Sequence, residues 1–154
     1  MKATDQFHVG IVVDDFESAL RELSELFGYA WSAEFCGTIP VTLPATGAAT
    51  IDLRFVYSRT TPRMEIIQSV PGTVWVPADG SGVHHVGYWS DDVAADCFEL
   101  DRRGYAMEAA GTSADGSASW AYHRSSTGPR IELVDRRLEP MLEQFWSGRS
   151  GGLR

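Results

Sequence analysis

At 154 residues the chain is long enough for one well-buried domain, 1–154, and too short for two ordinary ones. Its apolar content of 44% with 22% charged residues excludes a disordered chain, and no apolar run approaches the roughly 20 residues that span a bilayer. A net charge of −8 excludes nucleic acid as a partner, because that binding rests on neutralising phosphates.

Residues 7–13 form a β-branched run and predict a strand. Asp14 or Asp15 then caps a helix over 16–27, whose apolar residues Phe16, Ala19, Leu20, Leu23, Leu26 and Phe27 recur at helical spacing before Gly28 stops it. Strand signals follow at 29–36, 51–58 and 63–70, and the Pro/Gly/Thr/Ala-rich stretch 37–49 reads as a loop. The plan then recurs: a strand at 83–90, a cap at Asp91 or Asp92, a helix to Arg103 that Gly104 stops, and strands at 105–109, 119–124 and 130–135. Residues 109–119 read as a long turn or a mobile lid, and 138–146 as a short helix before a frayed tail. Neither Cys36 nor Cys97 belongs to a paired-cysteine motif. The first residues have no signal-peptide shape, which predicts the cytoplasm.

The recurrence is also literal. Phe7-His8-Val9-Gly10 returns as His84-His85-Val86-Gly87, 77 positions later (7 and 84), and Pro62-Arg63-Met64-Glu65-Ile66 returns as Pro129-Arg130-Ile131-Glu132-Leu133, 67 later (62 and 129). The chain is therefore α+β, with two tandem βαβββ units at 6–70 and 83–136 and a C-terminal helix and tail at 137–154. The offset of 67 matches Leu53 to Trp120 and Phe55 to Tyr122.

Each copy opens with a histidine on a strand and closes with a glutamate inside an apolar strand. A buried carboxylate without a partner costs several kcal/mol, so Glu65 and Glu132 must be protonated, paired or bound to a metal. Arg63 and Arg130, two residues earlier and on the same strand face, offer an ion pair as the structural alternative. His84 and His123 fall on the opposite faces of their strands and read as structural.

In the order and spacing of these motifs, over about residues 6–136, the chain resembles the vicinal oxygen chelate superfamily, which includes glyoxalase I, methylmalonyl-CoA epimerase, extradiol dioxygenases and the bleomycin-resistance proteins. The resemblance implies two βαβββ units whose mixed sheet curls around a metal cleft, with ligands at His8, Glu65, His85 and Glu132. It implies a divalent ion (Zn, Ni, Co, Mn or Fe) and a metal-dependent isomerase, epimerase or lyase. The proton alpha to a carbonyl would move by way of a metal-bound enolate, with Glu132 or Glu65 as the base and Glu132 favoured. A homodimer acting on a small molecule is the implied assembly. Phe55, Trp120 and Tyr122 are the expected substrate-binding residues and make the substrate apolar. Val12 stands where bacterial glyoxalase I carries an arginine for glutathione, so a glutathione adduct is not expected. Residues 35–51 contain no acid, which departs from the epimerase. The rival expectations are a metal-free protein that sequesters a drug and an iron-dependent oxygenase.

Overall fold

The computed structural model describes residues 1–113 and 115–148. Strand β1 (Gln6–Val13) leads into helix α1 (Phe16–Phe27). The Asp15 carboxylate accepts the Ser18 N–H at 3.0 Å and fixes the start of the helix, and Gly28 ends it at φ 72°, a conformation that costs glycine nothing. Strands β2 (Phe35–Leu43), β3 (Gly47–Tyr57) and β4 (Arg63–Gln68) complete the first unit. The second unit repeats it as β5 (His85–Ser90), α2 (Val93–Arg102), β6 (Ala106–Thr112), β7 (Ala118–Arg124) and β8 (Ile131–Asp135). Asp92 caps α2 as Asp15 caps α1. A single 3-10 turn, Arg136–Leu138, turns the chain into α3 (Glu139–Trp146).

The eight strands form a closed barrel in the order β1-β4-β3-β2-β6-β7-β8-β5. Each unit keeps its first and last strands parallel, β1 beside β4 and β5 beside β8, and the units join through the antiparallel β1/β5 pair. The sheet does more than curl: at the far seam Thr42 of β2 pairs with Ala110 of β6 and closes the ring. Helices α1 and α2 cover the outer face, where Phe16 packs with Val56 and Ile66, and Val93 and Leu100 with Ala121 and Leu133. Inside lie Val12, Val41, Leu53, Ile67 and Tyr122, with Trp75 entering from the β4–β5 loop.

The stretch 37–49 is a hairpin and not a loop. The odd positions of β2, Phe35, Ile39, Val41 and Leu43, pack on the interior cluster, an alternation that Gly37 and Pro40 obscure in the sequence. Pro40 lacks an N–H to donate, and β2 tolerates it because its only β6 partner position is Thr42. Residues 29–34 are not strand, apart from the isolated Trp31–Ser58 bridge. The expected long turn at 109–119 is mostly strand, with β6 running to Thr112 and β7 starting at Ala118. The end of the expected frayed tail, 149–154, lies outside the described residues.

Candidate metal centre

Strand register brings the repeated motifs together in two crossing rows. In one, Tyr57 lies opposite Glu65, Glu65 beside Gly10, and Gly10 opposite His85. In the other, Tyr122 lies opposite Glu132, Glu132 beside Gly87, and Gly87 opposite His8. The glycines make the rows work. A Cβ at Gly10 would stand 1.8 Å from the His85 ring, and one at Gly87 1.9 Å from the His8 ring. Each imidazole therefore lies flat across a bare backbone and reaches the glutamate beyond it.

The result is a buried group of four. His85 Nε2 is 3.2 Å from Glu65 Oε2 and His8 Nε2 is 3.1 Å from Glu132 Oε2, while the diagonal contacts are 3.6 and 3.5 Å. The two Nε2 atoms are 2.8 Å apart, and one donor atom from each residue lies within 4.8 Å of all the others. Donors held at right angles by one ion at about 2.1 Å stand about 3 Å apart, so the spacing fits a single divalent ion. Two orphaned acceptors fit it as well: Glu65 Oε2 and Glu132 Oε2 have no hydrogen-bond partner among the described residues. The alternative, ion pairs of these glutamates with Arg63 and Arg130, does not form. Arg130 donates to Glu108, while Arg63 donates to the Ser58 carbonyl and lies 3.9 Å over the Trp146 ring.

His84 is buried, as a structural residue would be, but it is not remote. Its Nε2–H donates to the Val74 carbonyl at 2.7 Å, and burial pushes its pKa down to about 3, so the ring is neutral. Its Nδ1 must then accept from His85 Nδ1–H, 2.9 Å away. That bond leaves the lone pair of His85 on Nε2, facing the glutamates. His8 has no such support, since its Nδ1 is buried without a partner among the described residues. His123 is also buried, behind the sheet, with both nitrogens unpartnered among the described residues.

Burial alone would push the His8 pKa down, but the carboxylates of Glu132 and Glu65, 3.1 and 3.6 Å from its Nε2, reverse this and raise it to about 9. His85 is raised for the same reason. Burial opposes ionisation of Glu65 and Glu132, and the two imidazoles nevertheless hold both below the usual carboxylate range. The signs follow. His8 contributes stability that is complete below its ordinary value of 6.5 and is lost as pH rises through about 9. The glutamates contribute stability above about 4.5 that is lost in acid. The metal-free protein should therefore melt highest at about pH 5–6 and progressively lower toward about pH 9, whereas an ion replacing the His8 proton should flatten that decline. Thermal melts across this range, with and without chelator, check it; a chelated protein equally stable at both ends of the alkaline limb contradicts the assignment.

A cavity of about 210 Å³ opens onto Glu65 and Glu132. The two imidazoles are not among its lining residues, so the carboxylates are what a bound molecule meets. Phe55, Trp120 and Tyr122 line it as expected, joined by Tyr57, Trp75 and, from the C-terminal segment, Leu138, Met141 and Leu142. The pairing Phe55–Tyr122 is corrected. Phe55 faces Ile67 as Trp120 faces Val134, and Tyr57 faces Glu65 as Tyr122 faces Glu132. The true equivalents are Phe55 with Trp120 and Tyr57 with Tyr122. Both tyrosines are buried and sit beside carboxylates, which raises their pKa values well above 10 and keeps them as O–H donors. Their rings pack on the imidazoles, Tyr57 on His8 at 5.4 Å and Tyr122 on His85 at 5.0 Å.

The fold and site define a paired-unit barrel with a buried two-histidine, two-glutamate group able to hold a divalent ion. Residues 7–122 match the sequence profile of the Glyoxalase/Bleomycin resistance protein/Dioxygenase superfamily, and the chain belongs to it. Methylmalonyl-CoA epimerase from Mycobacterium tuberculosis is similar in structure (TM-score 0.59, 20% identity, 88% of this chain and 92% of that one). So is a variant of the Streptomyces coelicolor epimerase in complex with 2-nitronate-propionyl-CoA (TM-score 0.58, 18% identity, 85% and 96%). A mutant of 4-hydroxymandelate synthase from Streptomyces coelicolor matches over 85% of this chain and 38% of its own (TM-score 0.57, 23% identity). No curated protein matches the sequence. At these identities the likenesses establish the fold, and the vicinal oxygen chelate resemblance is borne out. No helix among the described residues is long and apolar enough to cross a membrane.

Proposed function

We propose that the protein is a metal-dependent isomerase, epimerase or lyase that moves a proton alpha to a carbonyl on an apolar small molecule. One observation carries the reading: two buried carboxylates, each flanked by an imidazole, face an otherwise apolar cavity. His8, Glu65, His85 and Glu132 would hold a divalent ion, whose Lewis acidity stabilises charge developing on a substrate oxygen. The chain's own residues do the rest. Phe55 and Trp120 bind the apolar body and exclude water. A carboxylate oxygen of Glu132, or of Glu65, takes the carbon-bound proton and returns it. Tyr57 and Tyr122, held as O–H donors beside the glutamates, orient the carboxylates. A cytoplasmic homodimer belongs to the same reading, and exposed Leu26, Phe27 and Phe98 on the outer helices support self-association.

The test is proton exchange. Metal-loaded protein is incubated in deuterated water with a panel of aryl and alkyl ketones, and the expected result is deuterium at the α-carbon of at least one. Protein that holds no metal yet captures a cationic drug would falsify the reading, and bound iron with oxygen uptake would point to an oxygenase instead.

A further inference from the structure

The cavity in front of Glu65 and Glu132 has an unusual wall. Every other lining residue is apolar or aromatic, and none carries a positive charge. Its volume, about 210 Å³, is modest; an apolar protein cavity of about 150 Å³ holds a single benzene ring. Aromatic side chains supply much of the wall, including Phe55, Trp75 and Trp120. The roof is Leu138, Met141 and Leu142, and α3 is tied down by Phe145 and Trp146, which are buried against Tyr57, Trp89 and Val134.

These features select the ligand's chemistry. No cationic side chain lines the cavity to answer an anion. The carboxylates already face imidazole nitrogens at 3.1 and 3.2 Å, which leaves a cation no free counter-charge. An acyl-CoA would need cationic partners for its phosphates, and no lysine or arginine is among the residues that line this cavity. We infer that the cavity takes a compact, uncharged ligand, one aromatic ring carrying a short oxygen-bearing arm directed at Glu65 and Glu132, and that α3 limits its length. Only the direction of the arm rests on the metal-centre reading. The preference for a single ring rests on the walls and roof.

The probes are α-hydroxyacetophenone, its naphthyl analogue and propionyl-CoA, titrated into the metal-loaded protein while tryptophan emission, to which the cavity-lining Trp75 and Trp120 contribute, is followed. The one-ring ketone should quench saturably with Kd below about 1 mM, the naphthyl ketone should bind at least about tenfold more weakly, and propionyl-CoA should not bind. Met141→Ala and Leu142→Ala should each narrow the gap between one and two rings. Leu142 is buried and its truncation loosens packing, but Met141 is 38% exposed, so the first variant keeps the fold. Binding of propionyl-CoA as tight as that of the ketone, equal affinity for one and two rings, no change in either variant, or no binding of any probe would each overturn the inference. Metal content is measured on the same samples, and the titration is repeated after chelation. Protein that takes up no ion from an excess of supplied metal yet still binds the single ring sinks the metal-centre reading and leaves the ligand class standing.

Discussion

Alanine in place of Gly10 or Gly87 is expected to abolish tight metal binding, although neither residue carries a donor atom. The built Cβ would meet ring atoms of His85 at 1.8, 2.3 and 2.3 Å, and of His8 at 1.9, 2.1 and 2.7 Å. Those rings are fully buried and packed on Tyr122 and Tyr57, so they cannot swing clear at small cost. Either the imidazole leaves its glutamate or β1 and β5 separate along the seam that joins the two units. Overpacking of this kind costs about 1–3 kcal/mol in stability, and displacing one of four ligands should cost at least about a hundredfold in ion affinity. Chelator competition and thermal melting of G10A and G87A check both parts. A variant that holds its ion as tightly as the parent would show that the two imidazoles do not need to lie across the opposite strand.

The glutamates should separate in kinetics. Glu132→Gln keeps the shape and removes the base, so exchange at the α-carbon is expected to fall by about 10²–10⁴-fold with the ion still bound. Glu65→Gln is expected to lower affinity for the ion more than the rate of the loaded protein. Exchange rates and metal stoichiometry measured on the same preparations decide the matter. The reverse pattern moves the base to Glu65, and that exchange of roles would be natural in a site with two equivalent rows.

How much of this was legible follows from what a repeat can and cannot say. Glu65 and Glu132 stand out because a carboxylate inside Met64-Glu65-Ile66 or Ile131-Glu132-Leu133 is out of place unless something answers its charge, and His8 and His85 because they hold matching places in the repeat. That the four act as one ligand set came from the family resemblance. Tyr57 was not readable as the partner of Tyr122. A constant offset fails where connectors differ, and the distance from tyrosine to glutamate is eight positions in one unit (57 to 65) and ten in the other (122 to 132). Cross-strand register, a property of two strands at once, decides that pairing. Gly10 and Gly87 sat in plain view inside the repeated His-Val-Gly, yet a missing side chain does not announce whose ring fills the gap. The helix at the C-terminus was expected over 138–146, but only the fold shows that Leu138, Met141 and Leu142 roof the cavity.

The prop behind His85 breaks the symmetry that the duplicated sequence sets up. One imidazole is backed by His84 and a backbone carbonyl from the inter-unit loop, and the other has no hydrogen-bond partner at its Nδ1 among the described residues. If a reaction cycle needs a coordination position to open, the ring on the first strand is the side that yields. A loop belonging to neither copy thus gives two inherited halves unequal work.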